Sequence, residues 1–166
     1  MNITIRRAVP ADRIRIMPLQ KEIAELHYRG RPDLFRTEAR YYSEDDFYAR
    51  LTHPDHRIFI AEADGAVAGY VFAAVKHIRN HPTYVDFDIF HIDDICVLEK
   101  YRRNGAASAL FERCTAQARE DGCHSIELNV FCFNENAIRF YEAMGMEPMV
   151  QRMEFRLDGE EKEDVQ

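Results

Sequence analysis

The chain has 166 residues, 46% of them apolar, with 11 Phe and 8 Tyr. That is enough for one domain with its own core and too much for a disordered or collagen-like chain. A balance of 22 Lys+Arg against 29 Asp+Glu gives a net charge of −7, which argues against non-specific nucleic-acid binding, because that depends on neutralising phosphates.

The elements follow in chain order. Ile3, Ile5 and Ala8 suggest a first strand that Pro10 ends. Ile16, Leu19, Ile23 and Leu26 recur at helical spacing. Pro18 requires that helix to start near Met17 or bend there, since proline lacks an N–H. HYRGRPDLF (27–35) reads as a loop, and Ser43 with Asp46 three residues on opens a short helix. Arg57–Ala63 and Ala66–Val75 are strands joined by the hairpin signal Asp64-Gly65. After a connection over 78–87, Asp88–Val97 is a central strand. Arg102 to about Asp121 is a helix that Gly122 stops, Ser125–Val130 a strand, and Asn134–Met144 a helix that Gly145 caps. A last strand has Met149, Met153, Phe155 and Leu157 on one face.

The order β α α β β β α β α β predicts a mixed, mostly antiparallel sheet with helices on both faces. No repeat or Pro/Gly/Ser-rich linker divides it, so 1–157 is expected to be one domain and DGEEKEDVQ (158–166) an acidic, disordered tail. The four cysteines (96, 114, 123, 132) have neither CxxC nor zinc-finger spacing, which suggests reduced thiols and no metal. The N-terminus has no apolar segment of a signal peptide, and no run of about 18 apolar residues spans a membrane. A cytoplasmic protein without membrane or nucleic-acid partners is expected.

The most informative stretch is IDDICVLEKYRRNGAASAL (92–110). A strand ends near Val97, and Arg102-Arg103-Asn104-Gly105-Ala106-Ala107 opens a helix. Small residues at 105–107 let a ligand approach the backbone. The free N–H groups and positive dipole of a helix start make an anion site, to which Arg102 and Arg103 add charge. A plain helix start packed on the sheet accounts for the same residues. The run is neither a Walker A loop nor a Rossmann glycine pattern.

This run resembles the Arg/Gln-x-x-Gly-x-Gly/Ala signature of GNAT-type N-acetyltransferases, through Arg102, Gly105 and Ala107. NENAIRFYEAMGM (134–146) is similar to a second segment of that superfamily, through Asn134, Ala137, Phe140, Tyr141 and Gly145. The resemblance implies acetyl-CoA held in a V-shaped cleft between splayed parallel strands, here 88–97 and 125–130. It puts the diphosphate on the amides of 103–108, which include Ser108, and the pantetheine beside Ile95, Cys96 and Val97 as an added strand. Asn134, with Ala137 after it, would hold the cofactor or the strand end. The pattern is nearest to small-amine acetyltransferases of the spermidine/spermine kind, where an acidic pair precedes the same strand end as Asp93-Asp94 does here. That closeness leaves the acceptor open.

Acyl transfer to an amine needs a base, a polarised carbonyl, an acid for the thiolate, and alignment. Tyr141 is the candidate acid, since a phenol keeps its proton at neutral pH; a core aromatic on the helix stripe is the bland alternative. Asp93 is the candidate base, through a water. Asp94 is the second candidate, or the partner of a substrate ammonium. Neighbouring strand residues point to opposite faces, so both line the cleft only if a bulge intervenes. Backbone N–H groups near Ile95–Val97 would polarise the carbonyl. Cys96 between Ile95 and Val97 suggests a buried, inert thiol rather than an acyl carrier. His91 is an alternate base or a packed strand histidine. Family analogy puts the first helix and the following loop over the acceptor, with Tyr28 and Asp33 as candidate substrate contacts.

The leading expectation is an enzyme moving acetyl from acetyl-CoA to a primary amine of a small molecule, active as a homodimer. The alternatives are a protein or peptide N-acetyltransferase and a non-catalytic acyl-CoA-binding or sensing module.

Overall fold

The computed structural model describes residues 1–37 and 41–157; the acidic stretch at 158–166 lies outside them. β1 (Ile3–Arg7) is followed by α1 (Asp12–Arg15) and α2 (Met17–Gly30), separated at Ile16. Pro18 sits in the first turn of α2, where a missing N–H costs nothing. α2 runs through His27–Gly30, where the sequence suggested a loop. Its last turn gains an apolar face that periodicity did not reveal: the His27 ring stacks on Phe35 at 4.9 Å and meets Phe131 at 5.8 Å. α3 (Glu44–Thr52) starts at the expected capping box. Ser43 Oγ accepts the Asp46 N–H at 3.1 Å, and the Asp46 carboxylate accepts the Ser43 N–H at 3.2 Å.

β2 (His56–Ala63) and β3 (Ala66–Ile78) form the hairpin around Asp64-Gly65, and β4 (Phe87–Val97) returns antiparallel to β3. A 3-10 turn at Glu99–Tyr101 precedes α4 (Ala106–Glu120), then β5 (Ser125–Leu128) and α5 (Glu135–Ala143). The strand order is β1-β2-β3-β4-β5, antiparallel except for the parallel pair β4–β5.

Each face of the sheet carries a core. On one, Phe59, Val71, Phe90 and Ile92 pack against Leu110, Phe111 and Cys114 of α4. On the other, Ile58, Ile60, Tyr70 and Phe72 pack against Ile16, Leu19 and Phe47 from the N-terminal helices. This is the mixed sheet with helices on both faces that the element order predicted, and it agrees with the architecture that the motif resemblance implied.

The strand expected over 149–157 does not form. Pro148 offers no N–H, and the residues after it run past the body without a ladder among the described residues, so alternation alone does not make a strand. The polar side is held: Arg31 pairs with Glu154 at 2.9 Å, and Arg156 with Asp33. On the other side Met153, Phe155 and Leu157 are 85–88% exposed.

Candidate active site

The β4–α4 turn is built to receive an anion. α4 begins at Ala106, four residues later than the sequence suggested, because Gly105 turns the chain at φ +85°. The first hydrogen bond of α4 runs from the Ala109 N–H to the Gly105 carbonyl at 2.9 Å. The amides of 103–108 precede that ladder and have no acceptor among the described residues. A Cβ at Gly105 would meet nothing within 4 Å, so the space above those amides is open.

The turn leads into a cleft of about 750 Å³, within the usual size range for small-ligand sites. Its walls are the end of β4 (Ile95, Cys96, Val97), the turn and first residues of α4 (Arg102, Arg103, Gly105, Ala107, Ser108), and Asn134, Ala137 and Tyr141 from α5 and its cap. Two expected coenzyme contacts do not line it: Ala106 turns into the core beneath α4, and Asn104 donates to the Arg102 carbonyl at 3.1 Å. The expected catalytic carboxylates Asp93 and Asp94 do not line it either and lie behind its β4 wall. Ladder pairing between β4 and β5 covers Ile89–Ile92 and Ser125–Leu128 and stops there. Beyond Ile92 the β5-facing edge of β4 is therefore unpaired, and the two strands splay.

A bulge sits at the root of the splay. Phe72 faces Asp94 and Ala73 faces Ile92, so Asp93 is an extra residue. It inverts the alternation of β4. Phe90 and Ile92 face α4, whereas Asp94 and Cys96 face the N-terminal helices. Both carboxylates consequently reach the same side, the condition that adjacent strand residues could meet only through a bulge.

Their surroundings differ. Asp93 is clamped by Arg50 of α3 at 2.9 Å and by His91 Nδ1 at 3.0 Å. Burial alone would raise its pKa, but these two partners hold it below the usual carboxylate range. Asp94 is 8% exposed and accepts from the Tyr70 hydroxyl at 2.5 Å. Burial raises it to about 6 against the lowering effect of that bond. His91 is thus committed to Asp93. Cys96 is buried, donates to the Leu19 carbonyl at 3.4 Å, and is pushed far up by burial, so it stays a neutral thiol.

On the opposite wall, Asn134 Oδ1 accepts the Ala137 N–H at 3.3 Å and caps α5. That cap aims the helix so that Phe140 and Tyr141 face the cleft. Burial raises the Tyr141 phenol above its ordinary value, with the Asp94 charge adding to the effect.

Glu22, Ile23 and Leu26 of α2 complete the cleft. Ile23 and Leu26 were visible as part of the apolar stripe; Glu22 carried no signal. Past them, His27, Phe35, Tyr41, Phe131 and Phe133 form one aromatic cluster, with Phe131 and Phe133 stacked at 5.3 Å. It bridges α2 and the β5–α5 loop. A Cβ on Gly30 would lie 2.4 Å from the Phe133 ring, so this approach requires glycine. Tyr28 and Asp33 do not line the cleft. Asp33 instead accepts from Arg31 at 2.7 Å and pairs with Arg156.

Residues 21–146 match the model of the acetyltransferase (GNAT) family. The chain belongs to that family. It is 34% identical over 112 residues, 66% of its length, to an L-ornithine N5-acetyltransferase of Arabidopsis thaliana, and spans 47% of that relative. It is 29% identical over 120 residues to an N-alpha-acetyltransferase of Sulfurisphaera tokodaii, covering 69% of this chain and 71% of the relative. The fold superposes on a tetramutant of the BH1408 protein from Bacillus halodurans with a TM-score of 0.88 and 27% identity, covering 93% of this chain and 99% of the other.

Proposed function

We propose that the chain is an N-acetyltransferase that moves an acetyl group from acetyl-CoA to a primary amine of a small molecule by direct attack. One observation carries this: an anion-binding turn, an unpaired strand edge and the Tyr141 phenol lie along one cleft, with the Asp94 carboxylate buried next to its wall residue Ile95.

The residues suit the donor. The amides of 103–108 would bind its diphosphate, and the free edge of β4 at Ile95–Val97 would pair with its pantetheine arm. Acetyl-CoA supplies an acyl group on a thiol leaving group. Asp94, ionised at neutral pH with a pKa of about 6, takes the base role first expected of Asp93, because Asp93 is held by Arg50 and His91. Through a water, Asp94 accepts the proton that the acceptor ammonium must lose. Asp93 acts beside it, fixing Arg50 and His91. Amides at the end of β4 polarise the carbonyl. Tyr141 keeps its proton and delivers it to the departing thiolate.

The aromatic cluster packs beside the α2 wall of the cleft, next to Leu26; we read it as cover for the acceptor end, which favours a small amine over a polypeptide. Similarity to an archaeal N-alpha-acetyltransferase supports a second reading, in which the acceptor is a peptide N-terminus. The bare apolar side of 149–157 supports a homodimer.

The test is an amine panel with acetyl-CoA, following free thiol. Release with polyamines, diamino acids or aminoglycosides supports the first reading, and release with peptides alone supports the second. Coenzyme binding without release for any acceptor leaves an acyl-CoA-binding module.

A further inference from the structure

Beside the anion turn, the mouth of the cleft already holds a carboxylate of the chain itself. Glu22 rises from the second turn of α2 and accepts the Glu99 N–H at 3.1 Å. The same carboxylate pairs with the Arg102 guanidinium. A backbone amide and an arginine fork are the donor types that bind phosphate. Both Glu22 and Arg102 line the cleft, and their side chains are 28% and 48% exposed, so the pair sits at the solvent mouth, where ion pairs exchange readily.

We propose that Glu22 is a built-in competitor for the coenzyme's phosphates: it occupies Arg102 in the free protein and yields it when the diphosphate arrives. This rests on the coenzyme reading given above. One guanidinium cannot serve a carboxylate and a phosphate in the same place, and the two anions repel. The sign of the effect follows from a second contact. Arg102 Nε also donates to the Val97 carbonyl at 3.0 Å, which keeps the fork oriented without Glu22. Loss of the carboxylate therefore frees Arg102 for phosphate and does not misplace it. After transfer, Glu22 recaptures Arg102 and helps expel the product coenzyme, the step that limits many enzymes.

The experiment is calorimetric titration of the full chain and its Glu22→Gln variant with coenzyme A, and with inorganic pyrophosphate as a second probe. Glutamine keeps the size and the acceptor for Glu99 but removes the charge. Tighter binding by about two- to fivefold is expected, the range of an exposed ion pair, and the gain should shrink at high salt. The variant should also melt lower alone and show a larger upward shift with coenzyme A; a merely structural tie would lower both melting points equally. Equal or weaker coenzyme affinity in the variant, with wild-type binding intact, overturns the competitor and leaves the coenzyme reading standing. No coenzyme binding by either protein removes the coenzyme reading and the competitor with it.

Discussion

The Tyr70 hydroxyl donates a 2.5 Å hydrogen bond to Asp94, and both side chains are buried at the root of the β4–β5 splay. An ionised carboxylate accepts up to about four hydrogen bonds. Here one phenol and the Ile95 amide hold it, which is why desolvation dominates and the pKa rises to about 6. A buried, under-solvated carboxylate beside a cleft is poor for stability and well matched to proton transfer near neutral pH.

The sign follows by linkage. The folded protein binds this proton more tightly than the unfolded chain, whose Asp titrates near 3.9. Asp94 therefore favours folding at low pH, and that contribution is lost as pH rises from about 4 through about 6. At pH 8 its buried charge costs about 3 kcal/mol, from roughly two pKa units at 1.36 kcal/mol each. Asp94→Asn should raise the melting temperature at pH 8 while cutting kcat by about 10²–10⁴. A variant less stable at pH 8, or one as active as wild type, would contradict the assignment.

The same pair predicts a pH profile. kcat/KM should rise through about pH 6 as Asp94 ionises. Tyr70→Phe removes a donor that lowers that pKa, so its rising limb should move to higher pH. An unmoved limb would mean that some other group titrates.

Tyr141→Phe separates chemistry from binding. The phenol is held protonated by burial, so removing its oxygen should leave coenzyme A affinity within about twofold and lower kcat by about 10²–10⁴. Calorimetry and steady-state rates on one preparation decide it; undiminished acetylation would refute the acid role.

Gly105→Ala tests the anion turn. At φ +85° an alanine is strained by about 1–2 kcal/mol, although its Cβ would touch no protein atom within 4 Å. A modest drop in melting temperature is expected, with a much larger loss of coenzyme affinity, tenfold or more, because the methyl stands over the amides. Equal loss in both would make the glycine purely structural.

The sequence was legible where local chemistry decides. Ser43 and Asp46 make their capping box, Asp64-Gly65 turns the hairpin, and the run from Arg102 to Ala107 brings open amides to a cleft that Tyr141 also lines. It was silent where distant elements meet. The Tyr70–Asp94 bond joins residues 24 apart across the β3–β4 ladder, and the Glu22–Arg102 pair links α2 to a turn 80 residues away. Asp93-Asp94 required a bulge to share a side, yet no residue near them announces one. His27 read as a loop residue because its aromatic partners come from three other segments.

The C-terminal segment carries the last prediction. Met149, Val150, Met153, Phe155 and Leu157 are 75–88% exposed, and phenylalanine alone buries 150–250 Å² when covered. A monomer rarely leaves so continuous an apolar row in water. β5 ends the strand order, so its outer edge has no neighbour among the described residues, an opening that a further strand would close. Light scattering at micromolar concentration should give twice the chain mass. Pairing Met153→Asp with Phe155→Asp should halve it, because two carboxylates cannot be covered without partners, and should leave the cleft residues 95–108 untouched. A wild-type monomer under those conditions would remove the homodimer and require another cover for the row.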